Sequence, residues 1–212
     1  TPTLKLQNTE IYNHSNFGIL ARETNIEAHN IVIGSAGQAS LAATVGGTYN
    51  FTHSTFANFW NNGIRQLPAV LVNNFFVYND ANGNELTETR DLKAANFTNC
   101  IFDGNNNIEF LLDKVNGSVF NYNISNCMIS FTDNNNSFAG VLEVDFDNNP
   151  NYQNNIINGI ADFRDTQNQD FIIGENSEAI NKAKATSFSQ DILGIDRTVN
   201  PDIGAYQHIT FN

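Results

Sequence analysis

A degenerate internal repeat is the feature that most constrains this chain. The segments FTNCIFDGNNN (97–107) and ISNCMISFTDNNN (124–136) each place a cysteine between a polar residue and an Asn-rich stretch. Their cysteines, Cys100 and Cys127, lie 27 residues apart. The same pattern starts near residues 8, 29 and 53, so the starts at 8, 29, 53, 99 and 126 give steps of 21, 24, 46 and 27. A repeat of this length indicates stacked supersecondary units.

Each copy of the repeat has the alternation of a short strand. Its second position is small or polar and its fourth is bulky and apolar, so both lie on one face. The second positions are Thr9, Asn30, Ser54, Cys100 and Cys127, and the fourth are Ile11, Val32, Phe56, Phe102 and Ile129. The 46-residue step is interpreted as two steps, with the missing copy at 73–77.

Stacking of these copies predicts the fold class. One such strand cannot bury its face alone, whereas parallel strands stacked about 4.8 Å apart create a continuous core. Asparagine, with 37 of the 212 residues, favours turns and left-handed backbone positions, and Asn at successive corners forms side-chain ladders. We therefore predict an all-β, right-handed parallel β-helix (a pectin-lyase-like solenoid) of about six to nine coils, with a β-sandwich as the alternative.

The chain is expected to form one domain. Residues 1–175 are assigned to the coils, with an inserted loop near 80–91, and residues 176–212 to a C-terminal capping segment. Because the segment 1–6 reads as part of a coil, the chain is expected to belong to a longer protein.

The two cysteines are predicted to occupy adjacent rungs of one interior ladder. Small buried thiols are the favoured interpretation, because in-register parallel strands rarely present the Cβ geometry of a disulfide. A disulfide between Cys100 and Cys127 is the alternative.

Composition excludes two classes of partner. The formal net charge of -12 repels nucleic acid and anionic lipid, so neither is an expected partner. With 41% hydrophobic and 15% charged residues the chain is not disordered by charge, and no apolar run approaches the roughly 20 residues that cross a bilayer, so membrane insertion is not expected.

The inserted loop contains one candidate metal site. Asp80, Asn82, Asn84, Glu88 and Asp91 stand at offsets 1, 3, 5, 9 and 12, the spacing of a calcium loop. Position 6 is Glu85 where that loop needs Gly, and the last position is Asp instead of a bidentate Glu. Ca²⁺ bound by Asp80, Asn82 and Asn84 is one hypothesis, and an ordinary Asn- and Gly-rich turn is the other.

The C-terminal stretch carries a recognisable ending. SEAINKA (177–183), DILGIDR (191–197) and NPDIGAYQ (200–207) follow one another. They resemble the ending of bacterial right-handed parallel β-helix surface proteins, described as choice-of-anchor Q proteins and abundant in the Bacteroidetes. Gln207 stands where that ending commonly has Glu. The resemblance implies an extracellular or cell-surface location and a polysaccharide context, without a defined activity.

In physical terms the same ending is predicted to cap the stack, because an open last coil would expose strand edges and apolar core. Arg197 is expected to pair with Asp191, Asp196 or Asp202, and Tyr206 to close the core.

No catalytic residue is assigned from the sequence. Glu109 and Asp113 share strand parity and are interpreted as a solvated face, while His29 and His53 occupy the corner position and are expected to form hydrogen bonds there. The hypothesis is a glycan-binding or structural module, with Trp60, Tyr12 and Tyr78 as candidate stacking residues. The alternative is a polysaccharide lyase or glycoside hydrolase of the parallel β-helix type, or the C-terminal part of one.

Overall fold

The computed structural model describes residues 3–211, and this part of the chain is all-β, as predicted. It contains no α-helix and no helix that is long and apolar enough to span a bilayer. The strands are β1 (Thr3–Ile11), β2 (Phe17–Gly34), β3 (Ala39–Thr52), β4 (Thr55–Asn58), β5 (Val70–Asn73), β6 (Phe75–Asn79), β7 (Glu85–Thr89), β8 (Leu92–Thr98), β9 (Ile101–Gly104), β10 (Phe110–Asp113), β11 (Phe120–Ser125), β12 (Met128–Ile129), β13 (Tyr152–Gln153), β14 (Ile156–Ile157), β15 (Phe163–Asp165) and β16 (Asp170–Ile173). One 3-10 helix covers Leu142–Val144.

Twelve strands form one parallel sheet whose pairings fall into three ladders. The first ladder stacks 3–7, 25–29, 48–52, 94–98, 122–125 and 152–153. The second stacks 9–11, 31–34, 55–58, 101–104, 128–129 and 156–157. The third stacks 17–22, 39–44, 70–73 and 110–113.

On every rung, a residue with a left-handed backbone conformation forms the corner between the first and second ladders. These residues, with φ between 46° and 57°, are Asn8, Asn30, His53, Asn99, Asn126 and Asn154. Asn is the non-glycine residue that best tolerates this backbone region, which explains the repeated asparagines.

The predicted alignment of the second copy is wrong by one residue. Thr9 pairs with Ile31, so the corner is Asn30 and not His29. Ile31 and Ile33 consequently face the core, and Val32 faces outwards. Both faces of the strand are buried at Ile31–Ile33, so the sequence of this run does not indicate which face points into the core.

The 46-residue step contains a single turn of the chain, which corrects the predicted missing copy at 73–77. Thr55 pairs directly with Ile101. The extra length consists of the segments 59–69 and 74–91, and within the second of these β6 and β7 form an antiparallel hairpin. The sequence of β6 is aromatic and typical of a strand, so it resembles a copy of the repeat. Its pairing partner is however β7, the next strand along the chain.

The interior contains rows of aromatic residues and rows of small residues. The rings of Phe51 and Phe97 stack at 5.2 Å, and those of Phe56 and Phe102 at 5.5 Å. Cys100 and Cys127 lie in the same interior row, both buried and both free, and the Cys100 amide donates to Cys127 Sγ at 3.3 Å. Burial raises the pKa of the Cys100 thiol. The prediction of adjacent buried thiols is confirmed.

The C-terminal segment does not occupy the predicted position at the end of the stack. Between Ala161 and Phe211 its apolar side chains pack along the outside of the second ladder. Tyr206 lies there with Val32 and Ala57 and does not close the core. The end of the core is contacted by Phe146, whose ring lies 5.0 Å from Phe131 and 4.9 Å from Tyr152. Residue 212 lies outside the described residues, as do residues 1 and 2.

Candidate functional site

The outer face of the first ladder consists mainly of uncharged polar side chains. Alternation along each strand sends Tyr49, Phe51 and Phe97 into the core and their neighbours outwards. On the three rungs 48–52, 94–98 and 122–125 the outward polar residues are Thr48, Asn50, Thr52, Asn96, Thr98, Asn123 and Ser125, whereas the preceding rung presents Asn25, Glu27 and His29. Asn96 Nδ2 donates to Asn50 Oδ1 at 2.8 Å, so the amides of these two neighbouring rungs are paired. Amides and hydroxyls both donate and accept, which suits a polyhydroxylated ligand.

The C-terminal segment borders this face along the corner. Asn126 Nδ2 donates to the carbonyl of Lys182 at 3.0 Å. Asn99 receives the Lys184 amide on Oδ1 and donates to the Lys184 carbonyl from Nδ2, at 3.0 and 2.9 Å. The corner asparagines therefore fix the backbone of this segment and create one wall of the face.

Side chains of the same segment reach over the outer face. Lys184 Nζ donates to Ser125 Oγ at 2.8 Å. The ring of Phe188 stacks on His29 with centroids 3.9 Å apart and planes inclined by 14°. Sequence reasoning did not identify Lys184 or Phe188, because no local pattern predicts where a segment so distant in sequence will pack.

The β6–β7 hairpin borders the opposite side of the face. A groove of about 390 Å³ opens there, lined among others by Asn25, Thr48, Arg90 and Lys93. The Arg90 guanidinium lies 5.8 Å from the centroid of Phe76 and forms an ion pair with Glu88. This groove and the wall opposite it make the outer face of the first ladder a trough.

The structure does not bring the three predicted stacking residues together. Tyr78 lies on β6, 42% exposed, with its ring 5.6 Å from that of Phe76, and pairs with Leu86 nearer the turn of the hairpin. Tyr12 is partly buried, 6.3 Å from Phe171, and burial together with the charge of Glu10 raises its pKa to about 12.

Trp60 occupies a third environment. It is partly buried, and its indole lies so close to Gly37 that a Cβ there would be 3.4 Å from the ring. Its carbonyl accepts a hydrogen bond from Asn105 Nδ2 at 2.7 Å. None of the three predicted residues lines the groove, and Tyr78 is the one that belongs to the hairpin bordering it.

The predicted calcium loop is the turn of the β6–β7 hairpin. The Asn84 side-chain amide donates to Asp80 Oδ2 at 3.0 Å, and the backbone amides of Asn84 and Asn82 donate to Oδ1 at 2.9 and 2.8 Å; these hydrogen bonds, that of the Asn84 side chain first, lower the pKa of Asp80. Glu88 lies on β7 opposite Phe76, so the ninth position of the spacing runs along the strand away from Asp80, Asn82 and Asn84 in the turn. Within residues 3–211 no group of three or more His, Cys, Asp or Glu side chains is placed to hold a metal ion.

The C-terminal segment 177–207 fixes its own backbone through buried polar side chains. Arg197 is buried and donates to the carbonyls of Gly204 and Ala205 at 3.2 and 3.0 Å, where an ion pair with an Asp was predicted. Burial lowers the pKa of Arg197 to about 10. Asp191 accepts the amides of three residues, namely Leu193, Ile195 and Gln207. These hydrogen bonds fix the conformation of the segment itself.

Glu109 is not part of a solvated face, which corrects the sequence interpretation. Its side chain is fully buried and forms an ion pair with Arg65, whose Nη1 lies 2.8 Å from Oε2. Glu109 also accepts the amides of Ala69 and Asn106. Parity along β10 indicated exposure, but the segment 59–69 folds over Glu109. The pair anchors that segment.

His53 occupies a corner, as predicted, and His29 does not. His53 is fully buried, and its Nε2 lies 2.9 Å from Asn99 Nδ2. Burial, followed by the charge of Arg197, lowers the pKa of His53 to about 3. The His53 ring is therefore neutral across the physiological range.

Comparisons with protein-family models, with curated proteins and with solved structures find no match to this chain. The function is therefore argued from the trough and its chemistry.

Proposed function

We propose that the chain is a right-handed parallel β-helix module that binds an uncharged polysaccharide in the trough on its first ladder, at the cell surface or outside the cell. The fold assignment is supported by in-register parallel pairing at steps of 22, 23, 46, 27 and 28 residues. A left-handed corner on every rung supports it as well. The location follows the resemblance of the C-terminal ending to bacterial surface proteins.

One observation carries the proposed activity: over the three rungs 48–52, 94–98 and 122–125 the floor of the trough repeats an uncharged amide (Asn50, Asn96, Asn123) and a hydroxyl (Thr52, Thr98, Ser125). A repeat about 4.8 Å long offers equivalent contacts to a polymer that itself repeats. The net charge of -12 disfavours an anionic polymer and not a neutral one, and the cations Arg90, Lys93 and Lys184 stand at the borders of the floor. The exposed ring of Tyr78 adds an apolar platform for sugar C–H groups at the edge.

The test is a glycan-array screen of the purified chain, with neutral and uronate polysaccharides, with and without Ca²⁺, and with product release followed for each hit. Retention of neutral glycans without cleavage is the expected result. Asn50→Ala combined with Asn96→Ala should abolish retention. Asn135→Ala removes an exposed amide from another part of the chain and should leave retention unchanged.

Other outcomes separate the alternatives. Unsaturated products or new reducing ends would favour the lyase or hydrolase hypothesis. If no glycan is retained, a purely structural module is favoured. Dependence of retention on Ca²⁺, lost in Asp80→Ala, would support the hairpin turn as a cation site.

A further inference from the structure

A pocket closes the trough at its first rungs. It has a volume of about 470 Å³ and lies between the corner residues Asn8 and Asn30 and the segment 187–194. A second cavity of about 430 Å³, lined by Lys5, Leu6, Gln7, Glu27 and His29, adjoins it, since His29 lines both. The pocket therefore opens onto the outer face of the first ladder and lies within the usual size range of small-molecule sites.

The pocket has an aromatic side. Phe188 lines it and is held in place by its stack on His29. Burial lowers the pKa of His29, so the imidazole is neutral at pH 7 and the stack presents no charge. An aromatic face without charge suits the apolar face of a pyranose ring.

One side chain that lines the pocket, Asn30, has a hydrogen-bond acceptor that no donor contacts within residues 3–211. Asn30 is buried and uses Nδ2 twice, towards Asn8 Oδ1 at 3.0 Å and the Gln190 carbonyl at 2.9 Å. Its Oδ1 has no hydrogen-bond partner within residues 3–211. A buried acceptor left unpaired is costly, and a ligand hydroxyl that reached it would remove that cost.

Charge in the pocket selects against an acidic sugar. No Lys or Arg lines it, and its one carboxylate, Asp191, already accepts three backbone amides. Lys5, in the adjoining cavity, lies 3.1 Å from Glu27. A uronate carboxylate entering the pocket would meet Asp191 and no cation.

We propose that this corner pocket is a subsite for one uncharged pyranose residue, which packs on Phe188 and donates a hydroxyl towards Asn30. The inference rests on the proposed function, because it makes the pocket one end of the same polysaccharide site. It adds a position at which a single sugar unit is recognised, where the open floor recognises only a repeating chain.

The experiment is isothermal titration of the whole chain with cello-, manno-, xylo- and laminari-hexasaccharide, and with galacturonate hexamer as the charged counterpart. Phe188→Ala should weaken the tightest neutral hexasaccharide about tenfold or more, while Phe188→Tyr should retain it. Asn8→Gly keeps the left-handed corner, removes the amide that holds Asn30, and should weaken binding several-fold. Val199→Ala, on the same segment and 76% exposed, is the matched control and should bind like the unmodified chain.

The results separate this inference from the proposed function. If the unmodified chain binds no neutral hexasaccharide, the proposed function fails and the subsite with it. If it binds one, and Asn50→Ala with Asn96→Ala removes binding while Phe188→Ala and Asn8→Gly leave it unchanged, the trough stands and the subsite is overturned. Urea midpoints of the variants identify any loss caused by unfolding, and galacturonate binding as tight as neutral binding would also overturn the subsite.

Discussion

The first and second ladders share every turn of the chain and meet at the same corners, yet their outer faces differ. The second ladder presents Val32, Ile101 and Met128 outwards, and the C-terminal segment covers them. The first presents amides and hydroxyls, represented by Asn50 and Asn96, and stays open apart from its walls. Which face is covered is thus decided by the outward positions, which the parallel pairing itself does not constrain.

This difference assigns separate tasks to the two faces. Each apolar side chain that the second ladder buries under the segment contributes roughly 1.5–3 kcal/mol to stability. The corner asparagines then use their amides to position the edge of that segment beside the first ladder. Stability comes from one face, and a bordered polar surface results on the other.

The largest predicted effect is on the covered face. Ile101→Ala should lower the free energy of unfolding by about 2–5 kcal/mol, because the side chain is fully buried under Ile203 and Ala179. Urea unfolding followed by circular dichroism measures it. Asn96→Ala, on the adjacent open face, is the control and should cost only about 0.5–1.5 kcal/mol for one hydrogen bond. Equal costs for the two variants would contradict the division between the faces.

The next prediction concerns the conformation of the C-terminal segment that covers the second ladder. Arg197→Lys should lower the free energy of unfolding by about 2–3 kcal/mol, because Lys cannot reproduce the fork that donates to two carbonyls. Arg164→Lys changes an ion pair with Asp170 that is only partly buried, and should cost less than about 1 kcal/mol. Hydrogen exchange should show faster opening between 191 and 207 in the Arg197 variant. Unchanged exchange there would rule out this role for Arg197.

The parts of the fold that were predictable from sequence are those with a local cause. A corner residue with a left-handed backbone conformation is preferably Asn, and a crowded interior row accepts small residues. The corner asparagines and the two cysteines therefore indicate stacked parallel strands. His29 was misaligned because it stands next to Asn30, within a run that is apolar on both faces. Residues 73–77 were predicted to be a further copy because the sequence of β6 is typical of a strand, whichever strand it pairs with.

The trough was less predictable, because its walls depend on distant contacts. Nothing near Lys184 indicates that Asn99 will bind its backbone, and nothing near Phe188 indicates a stack on His29. Aromatic residue type alone selected Trp60, Tyr12 and Tyr78, and none of them lines the groove. Side chains that are satisfied by long-range packing leave no periodic signal in the sequence.

A third prediction uses pH to test the corner that joins the two faces. The pKa of His53 is about 3 in the folded chain and near 6.5 when unfolded, so the unfolded state binds more protons between those values. Stability therefore falls as pH falls, by about 2 kcal/mol between pH 7 and pH 5 from this residue. Urea unfolding at the two pH values measures it.

His53→Asn is the matched variant for the pH effect, because Asn occupies the other five corners and tolerates the left-handed backbone. The drop between pH 7 and pH 5 should be about 2 kcal/mol smaller in this variant. His29, whose pKa is lowered by burial, and the carboxylates contribute equally to both proteins and cancel in the difference. An identical drop in the two proteins would show that His53 is not buried as a neutral ring.

The smallest effect on stability is expected from giving the open face the composition of the covered one. Asn50→Val, Thr52→Val and Asn96→Val together should change the free energy of unfolding by less than about 1 kcal/mol, because β-branched residues suit strands and these positions are partly exposed. The new apolar patch has no segment to cover it, so sedimentation should show self-association that the unmodified chain lacks. Because Asn96 donates to Asn50, the paired change removes donor and acceptor together and leaves neither unsatisfied. A variant that unfolds would show that the amide row is itself part of the fold, and that stability and ligand contact are not divided between the two faces.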